Sequence, residues 1–337
     1  MKPSMMLENI RRQPESLACV ADQALGEGFE ALRAAAAAIR SAKSVVFTGM
    51  GSSMSASIPA AYFLEQHGIA ADVVETSEWL HFGRATRRGE VMVLVSRSGE
   101  TIEVTKLLTR LRESTAVTVG VTNVPDSRLA RESDHSLFLG SEADRMVAIQ
   151  TYTGTMALLL LLSAIAVEPS AATLRREVDT AGAAMSAAIE ESVAHSDEWV
   201  AFLERAEVVH LLGRGPSLAS AREGALLFNE AARTPAVGMS AALFRHGPVE
   251  IVDERFCAIV FASQGATRDI DVALAKDLES MRGRVRLCKA GAVSSPFEPL
   301  VEIVPIQVAA CALAISKGID PGDFRHATLV TLTESGF

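Results

Sequence analysis

The hydrophobic positions of this chain fall into short unbroken runs that alternate with longer stretches of helical period. Runs at 44–48, 71–75, 91–96, 116–122 and 135–139 are rich in β-formers and lack polar alternation. That is the pattern of parallel strands buried on both faces. Between them, 55–67, 78–82, 101–113 and 128–132 read as helices. Upstream, 6–12 and 14–23 read as a helical arm, and 29–41 as an alanine-rich helix. Two long helical stretches follow, 151–167 and 170–204. The alternation then resumes, with strands at 208–212, 236–239, 258–262, 285–289 and 300–304 and helices at 217–233, 243–251, 269–282 and 307–317. Strands alternating with helices build βαβ units, and the handedness of their crossovers winds such units into a parallel sheet with helices on both faces.

The pattern occurs twice. Val45-Val46-Phe47-Thr48 breaks into Gly49-Met50-Gly51-Ser52-Ser53, and Val208-Val209-His210-Leu211-Leu212 breaks into Gly213-Arg214-Gly215-Pro216-Ser217. Val91-Met92-Val93-Leu94-Val95 runs into Ser96-Arg97-Ser98-Gly99-Glu100-Thr101, and Cys257-Ala258-Ile259-Val260-Phe261-Ala262 runs into Ser263-Gln264-Gly265-Ala266-Thr267. The expected fold class is α/β: two tandem doubly wound parallel-sheet domains related by duplication. The expected limits are a helical N-terminal arm over 1–42, a first domain over 43–187, a second over 188–317 and a C-terminal tail over 318–337. Small residues over 180–188 suit close helix packing near the boundary.

Composition narrows the partners. The 337 residues are 49% hydrophobic and 22% charged, with a net charge of −9. Two domains of ordinary size fit that length, and the acidity argues against nucleic acid as the main partner. The N-terminus lacks the apolar core of a secretory signal. The apolar stretch 156–167 is short for a membrane span and contains Ser163, so it reads as a buried helix. A cytoplasmic protein with neither membrane nor nucleic-acid partner is expected. Cys19, Cys257, Cys288 and Cys311 are scattered without metal-ligand spacing, and the last three sit in apolar runs as buried thiols. No metal and no cofactor are expected. Lysine occurs only at positions 2, 43, 106, 276, 289 and 317.

Two loops carry candidate anion chemistry. Gly49-Met50-Gly51-Ser52-Ser53 joins a strand to a helix, so glycines allow close approach, serines offer hydroxyls and the helix N-terminus adds partial positive charge. Ser96-Arg97-Ser98-Gly99-Glu100-Thr101 ends the third strand, which can share a crevice with the first on a doubly wound sheet. Facing one another, the loops could hold a phosphate without a lysine; each alone reads first as a polar turn with an N-cap. A dinucleotide site is the alternative. Met54 stands where its third glycine belongs, although Glu75 ends the second strand where a ribose-binding acid would lie.

The second copy carries acid–base candidates. Glu223 and Glu230, seven residues apart, fall on roughly one helix face. His246, before Gly247-Pro248, sits in a sharp turn. Histidine titrates near neutrality and suits ring opening, while a partly desolvated glutamate suits moving a proton between neighbouring carbons. A solvated helix face and a turn cap are the plain alternatives.

With these residues in view, the chain resembles the sugar isomerase (SIS) domain family. Gly51-Ser52-Ser53, the Ser96–Thr101 loop, Glu223-Gly224-Ala225-Leu226, His246-Gly247-Pro248 and the duplication carry the likeness over nearly the whole chain. The tandem arrangement is similar to the isomerase half of glucosamine-6-phosphate synthase and to stand-alone amino-sugar-phosphate deaminases and fructosamine-phosphate deglycases. The resemblance implies that Gly51, Ser52, Ser53, Ser96, Arg97, Ser98 and Thr101 cradle a sugar phosphate. It implies that Glu230 shuttles the proton and that His246 opens the ring from a neighbouring subunit, hence a homodimer with shared active sites. Glu223, Arg325 and His326 are additional candidates; the last two could bind a carboxylate, a second phosphate or a different sugar. The chain departs from the synthase in three places. Arg97 replaces a glutamine, Leu227 replaces a lysine, and Leu329 stands where a tail lysine would form a Schiff base when the tails are aligned on Arg325 and Glu334. An iminium route through that lysine is not expected. Glutamine-dependent amination is not expected either, since Met1 leads into helix with no cysteine at position 2. The implied function is a phosphosugar isomerase, deaminase or deglycase. A non-catalytic phosphosugar-binding protein is the alternative, and a nicotinamide-dependent oxidoreductase a third.

Overall fold

The computed structural model describes residues 1–144, 147–167, 170–262, 265–289, 293, 296–326, 328 and 330–334. The chain forms two compact units. One comprises Glu15–Asp144, Gln150–Asp179 and Arg325–Phe337; the other comprises Met1–Pro14, Arg145–Ile149 and Thr180–Phe324.

The helical arm is α1 (Met5–Leu25) and α2 (Phe29–Arg40). The sequence suggested a break at Pro14, but α1 runs through it. Proline cannot donate to the carbonyl four residues back. The Gln13 side chain does so instead, Nε2 donating to the Ile10 carbonyl at 3.1 Å. Gln13 also exchanges hydrogen bonds with the buried Gln307, at 2.7 and 3.1 Å.

The first sheet takes β1 (Ser44–Gly49), β2 (Ala71–Glu75), β3 (Glu90–Val95), β4 (Val117–Thr122) and β5 (His135–Phe138). Helices α3 (Ser52–Gln66), α4 (Thr76–Phe82), α5 (Ile102–Leu111) and α6 (Arg128–Glu132) connect them. All pairings are parallel and the order is β2-β1-β3-β4-β5. Every residue of β3 is buried, as unbroken apolar runs require. Val46, Met92 and Leu94 pack with Val104, Leu107, Leu108 and Leu111 of α5 as one core. The helix α7 (Gln150–Val167) is long and apolar enough to span a membrane, yet 94% of it is buried in the protein, so it serves as a core helix. The expected helix 170–204 is two, α8 (Ala171–Ala194) and α9 (Ser196–Leu203), separated at His195.

The second sheet takes β6 (Val209–Gly213), β7 (Ala236–Ser240), β8 (Cys257–Phe261) and β9 (Arg284–Cys288), all parallel, in the order β7-β6-β8-β9. Its helices are α10 (Leu218–Glu230), α11 (Ala241–Phe244) and α12 (Arg268–Ser280). This order repeats the first four strands of the other sheet, so the duplication is present in topology as well as sequence. Two expectations fail here. The strand expected at 300–304 is helical, split between α13 (Glu298–Glu302) and α14 (Val304–Ser316). Pro299 and Pro305 each lie in a first helical turn, where a missing N–H costs nothing, whereas a strand would lose a ladder bond. The helix expected at 243–251 breaks after α11, because Gly247 at φ +127° leaves the helical region and Pro248 opens a separate 3-10 turn, Pro248–Ile251. Cys257, Cys288 and Cys311 are buried, and burial pushes the Cys257 and Cys311 thiols up to about 11.

Candidate active site

The order β2-β1-β3-β4-β5 reverses direction between β1 and β3. In open parallel sheets the crevice at such a switch point, outside the strand carboxyl ends, is where ligands bind. Gly49 pairs with Val95, so the Gly49–Ser53 loop and the Ser96–Thr101 loop leave adjacent strands at one level. Gly49 must be glycine, since a Cβ there would stand 2.9 Å from Ser53 Cβ and 3.0 Å from the Val95 carbonyl. Gly51 caps α3 at φ +53°, a backbone that side-chain-bearing residues avoid. Ser52 and Ser53 then form the first turn of α3, half-buried and with no acidic residue among them.

The second loop gathers its hydroxyls. Ser96 Oγ lies 2.9 Å from Thr101 Oγ1 and 3.5 Å from Ser98 Oγ, and accepts the Gly99 N–H at 3.1 Å. Ser98 Oγ accepts the Glu100 N–H at 3.2 Å. The loop's own carboxylate is engaged elsewhere: Glu100 Oε1 accepts the Arg128 N–H at 2.6 Å. The Arg97 carbonyl accepts from Thr122 Oγ1 at 3.1 Å and from the Asn123 N–H at 3.0 Å, which fastens the loop to the end of β4. Thr101 is the N-cap of α5 without a capping bond from its side chain, its hydroxyl having gone to Ser96. The structure thus brings Ser96, Ser98 and Thr101 into one hydroxyl cluster, beside the strand that launches Gly51, Ser52 and Ser53.

The C-terminal tail reaches the same place by contacts that the sequence did not announce. The Thr331 carbonyl accepts the Ile102 N–H at 3.0 Å, at the start of α5. Glu334 accepts from His81 Nε2 at 3.0 Å and pairs with Lys106. These two partners, Lys106 foremost, hold the Glu334 carboxyl below its usual range. Arg325 and His326 are exposed. Leu329, where the synthase-type lysine would fall, and Ser263 and Gln264 of the second-copy loop lie outside the described residues.

In the other unit, α10 carries both acids at different depths. Glu223 is fully buried, while Glu230, its last residue, is half-buried. Leu227 is fully buried, a place unsuited to an unpaired charged lysine. His246 is exposed, in the turn after α11, its N–H donating to the Leu243 carbonyl at 3.0 Å. Sequence reasoning missed a buried network in this unit. Arg214 Nε donates to Asp271 Oδ1 at 2.6 Å, while Ser217 and Ser220 donate to Glu302 at 2.9 and 2.8 Å. Burial raises the Asp271 carboxyl pKa, with hydrogen bonds from Arg214 and Thr267 pulling the other way. Only the loop residues had a sequence signal, because Glu302 lay in a segment read as strand.

A two-sheet α/β chain with a hydroxyl-lined switch point is a class shared with known proteins. The SIS domain model matches residues 38–166 and 202–288. The chain belongs to the SIS domain family. Among curated proteins, glutamine–fructose-6-phosphate aminotransferase [isomerizing] of Pyrobaculum aerophilum is 28% identical over 354 residues, covering 98% of this chain and 58% of the relative. The chain therefore spans just over half the length of that relative. Among solved structures, the C-terminal domain of glucosamine-fructose-6-phosphate aminotransferase from Francisella tularensis superposes with TM-score 0.82 at 21% identity, covering 96% of this chain and 98% of that one. Glucosamine-6-phosphate deaminase from Thermotoga maritima superposes with TM-score 0.78 at 22% identity, covering 97% and 99%.

Proposed function

We propose that this chain is a phosphosugar-processing enzyme of the aldose–ketose isomerase or amino-sugar-phosphate deaminase/deglycase type. The single observation that carries the reading is the Ser96–Ser98–Thr101 hydroxyl cluster, set at the β1/β3 switch point beside the Gly51-Ser52-Ser53 helix start. Phosphate oxygens accept from hydroxyls, loop amides and a helix N-terminus, so neither loop needs a lysine. The family and the activities named for its relatives support sugar phosphates as the ligand class.

Glu230 is the group assigned to proton transfer. A base that removes the proton next to the carbonyl carbon leaves an enediol; returning it to the neighbouring carbon completes an isomerisation with no redox change. On a 2-amino sugar the same shift yields an imine at C2, which water hydrolyses to a ketose and ammonia. His246 is assigned to ring opening, since its imidazole can take and return a proton near neutral pH. Its exposure, with Leu243 and Ile251 on either side 58% and 52% exposed, supports a face completed by a second copy of the chain.

Turnover of a panel of hexosamine, fructosamine and hexose phosphates tests the reading, and inertness toward all of them overturns it. The lack of a lysine at the tail position Leu329 favours a second reading, a phosphosugar-binding protein without chemistry. Glu230→Gln separates the two: abolished turnover with retained ligand binding identifies the enzyme.

A further inference from the structure

The duplicated fold has a second switch point, between β6 and β8, and the loop that follows β6 is built like the loop that follows β1. Gly213 leaves no room for a Cβ, which would stand 2.5 Å from the Ser217 carbonyl, and Gly215 takes φ +52°. Ser217 therefore holds the position that Ser53 holds in the first copy. In this copy its hydroxyl is already committed. Ser217 and Ser220, both buried, donate to the two carboxylate oxygens of Glu302, which is 1% exposed. Glu302 comes from the helix after β9, and its carbonyl lies 3.7 Å from Cys288 Sγ at the strand's end. The loop's one cation is answered as well, Arg214 by Asp271.

We infer that Glu302 is a built-in ligand: its carboxylate occupies the anion seat of the second copy, so that the chain holds one external phosphate and not two. A carboxylate on hydroxyls at a helix N-terminus is what a phosphate would be in the same place. The seat has a further consequence, because the helix it anchors is α10, which carries Glu223 and Glu230. The second cradle thereby holds the first turn of the acid-bearing helix in place. The comparison of copies rests on reading the first as a phosphate cradle; the seat and its occupant do not.

Equilibrium dialysis with radiolabelled inorganic phosphate, alongside thermal unfolding at matched ionic strength, tests this. Glu302→Ala should bind one more phosphate per chain than wild type. Its Tm should fall by roughly 5 °C or more and recover saturably as phosphate is added. Glu302→Gln keeps the shape and removes the charge; it should lose Tm without gaining a phosphate site, because an amide fills the seat. An unchanged phosphate count in folded Glu302→Ala overturns the inference. So does a wild-type Tm for Glu302→Gln, which decides the matter even where the alanine variant does not fold. If wild type binds no phosphate and Glu302→Ala binds one, the seat stands while the reading of the first cradle falls.

Discussion

The loops after β1 and β6 share a backbone, and among the described residues the two copies differ in the groups that meet at the switch point. Gly51 and Gly215 adopt φ +53° and +52°, and Gly49 and Gly213 each exclude a Cβ against the serine four residues on. In the first copy the hydroxyls of Ser96, Ser98 and Thr101 bond one another and backbone N–H groups, with no carboxylate among those partners. In the second, Glu302 and Asp271 are drawn onto Ser217, Ser220 and Arg214. A loop geometry competent for anions is therefore insufficient to make a binding site. What decides is whether the rest of the chain supplies the anion.

The comparison can be broken at graded cost. The largest effect is expected from Glu230→Gln, with turnover reduced by roughly 10³-fold and ligand affinity kept, measured by steady-state kinetics and calorimetry. Next come Ser98→Ala and Thr101→Val, each weakening sugar-phosphate binding by about ten- to a hundredfold. Their unfolding curves should stay near wild type, since the cluster is half-open. Gly51→Ala and Gly215→Ala form a matched pair, each forcing a side chain into a left-handed backbone at a cost of about 1–2 kcal/mol. Denaturant midpoints should fall for both, and sugar-phosphate Kd should rise only for Gly51→Ala; a Kd change at Gly215 would put the external ligand in the wrong copy.

The smallest effect concerns pH. His210 stacks on Phe256 with ring centroids 4.7 Å apart, and burial lowers its pKa from 6.5. The folded state therefore resists a proton that the unfolded state accepts. This contribution is intact above pH 6.5 and declines as pH falls through that value toward the lower folded pKa. Denaturant midpoints across that window should fall with acid in wild type, and His210→Phe should flatten that part of the slope. The first copy has no counterpart, since Val46 stands at the equivalent strand position.

Much of this was legible before any coordinates. The unbroken apolar runs gave parallel strands, the repeated Gly/Ser grammar gave the duplication, and Ser-x-Ser-Gly-Glu-Thr marked the loop that holds the hydroxyl cluster. The misreadings have physical causes. An apolar run such as 300–304 has no period by which to tell a strand from a buried helix, and the flanking Pro299 and Pro305 were the overlooked evidence. Pro14 looked like a helix end because the rescue of the Ile10 carbonyl comes from the side chain of Gln13. The tail contacts of Thr331 and Glu334 left no local trace, since a backbone carbonyl has no sequence signature.

The sequence alone determined what depends on neighbours along the chain: strand and helix periods, turn glycines, helix-starting serines and their recurrence in two copies. Only the tertiary structure decided which cradle is filled from within, how deep Glu223 and Glu230 sit, and where the tail is fastened. Those outcomes depend on groups far apart in the chain, Ser217 with Glu302 or Lys106 with Glu334. Such pairings come from packing, and packing is set by the whole fold.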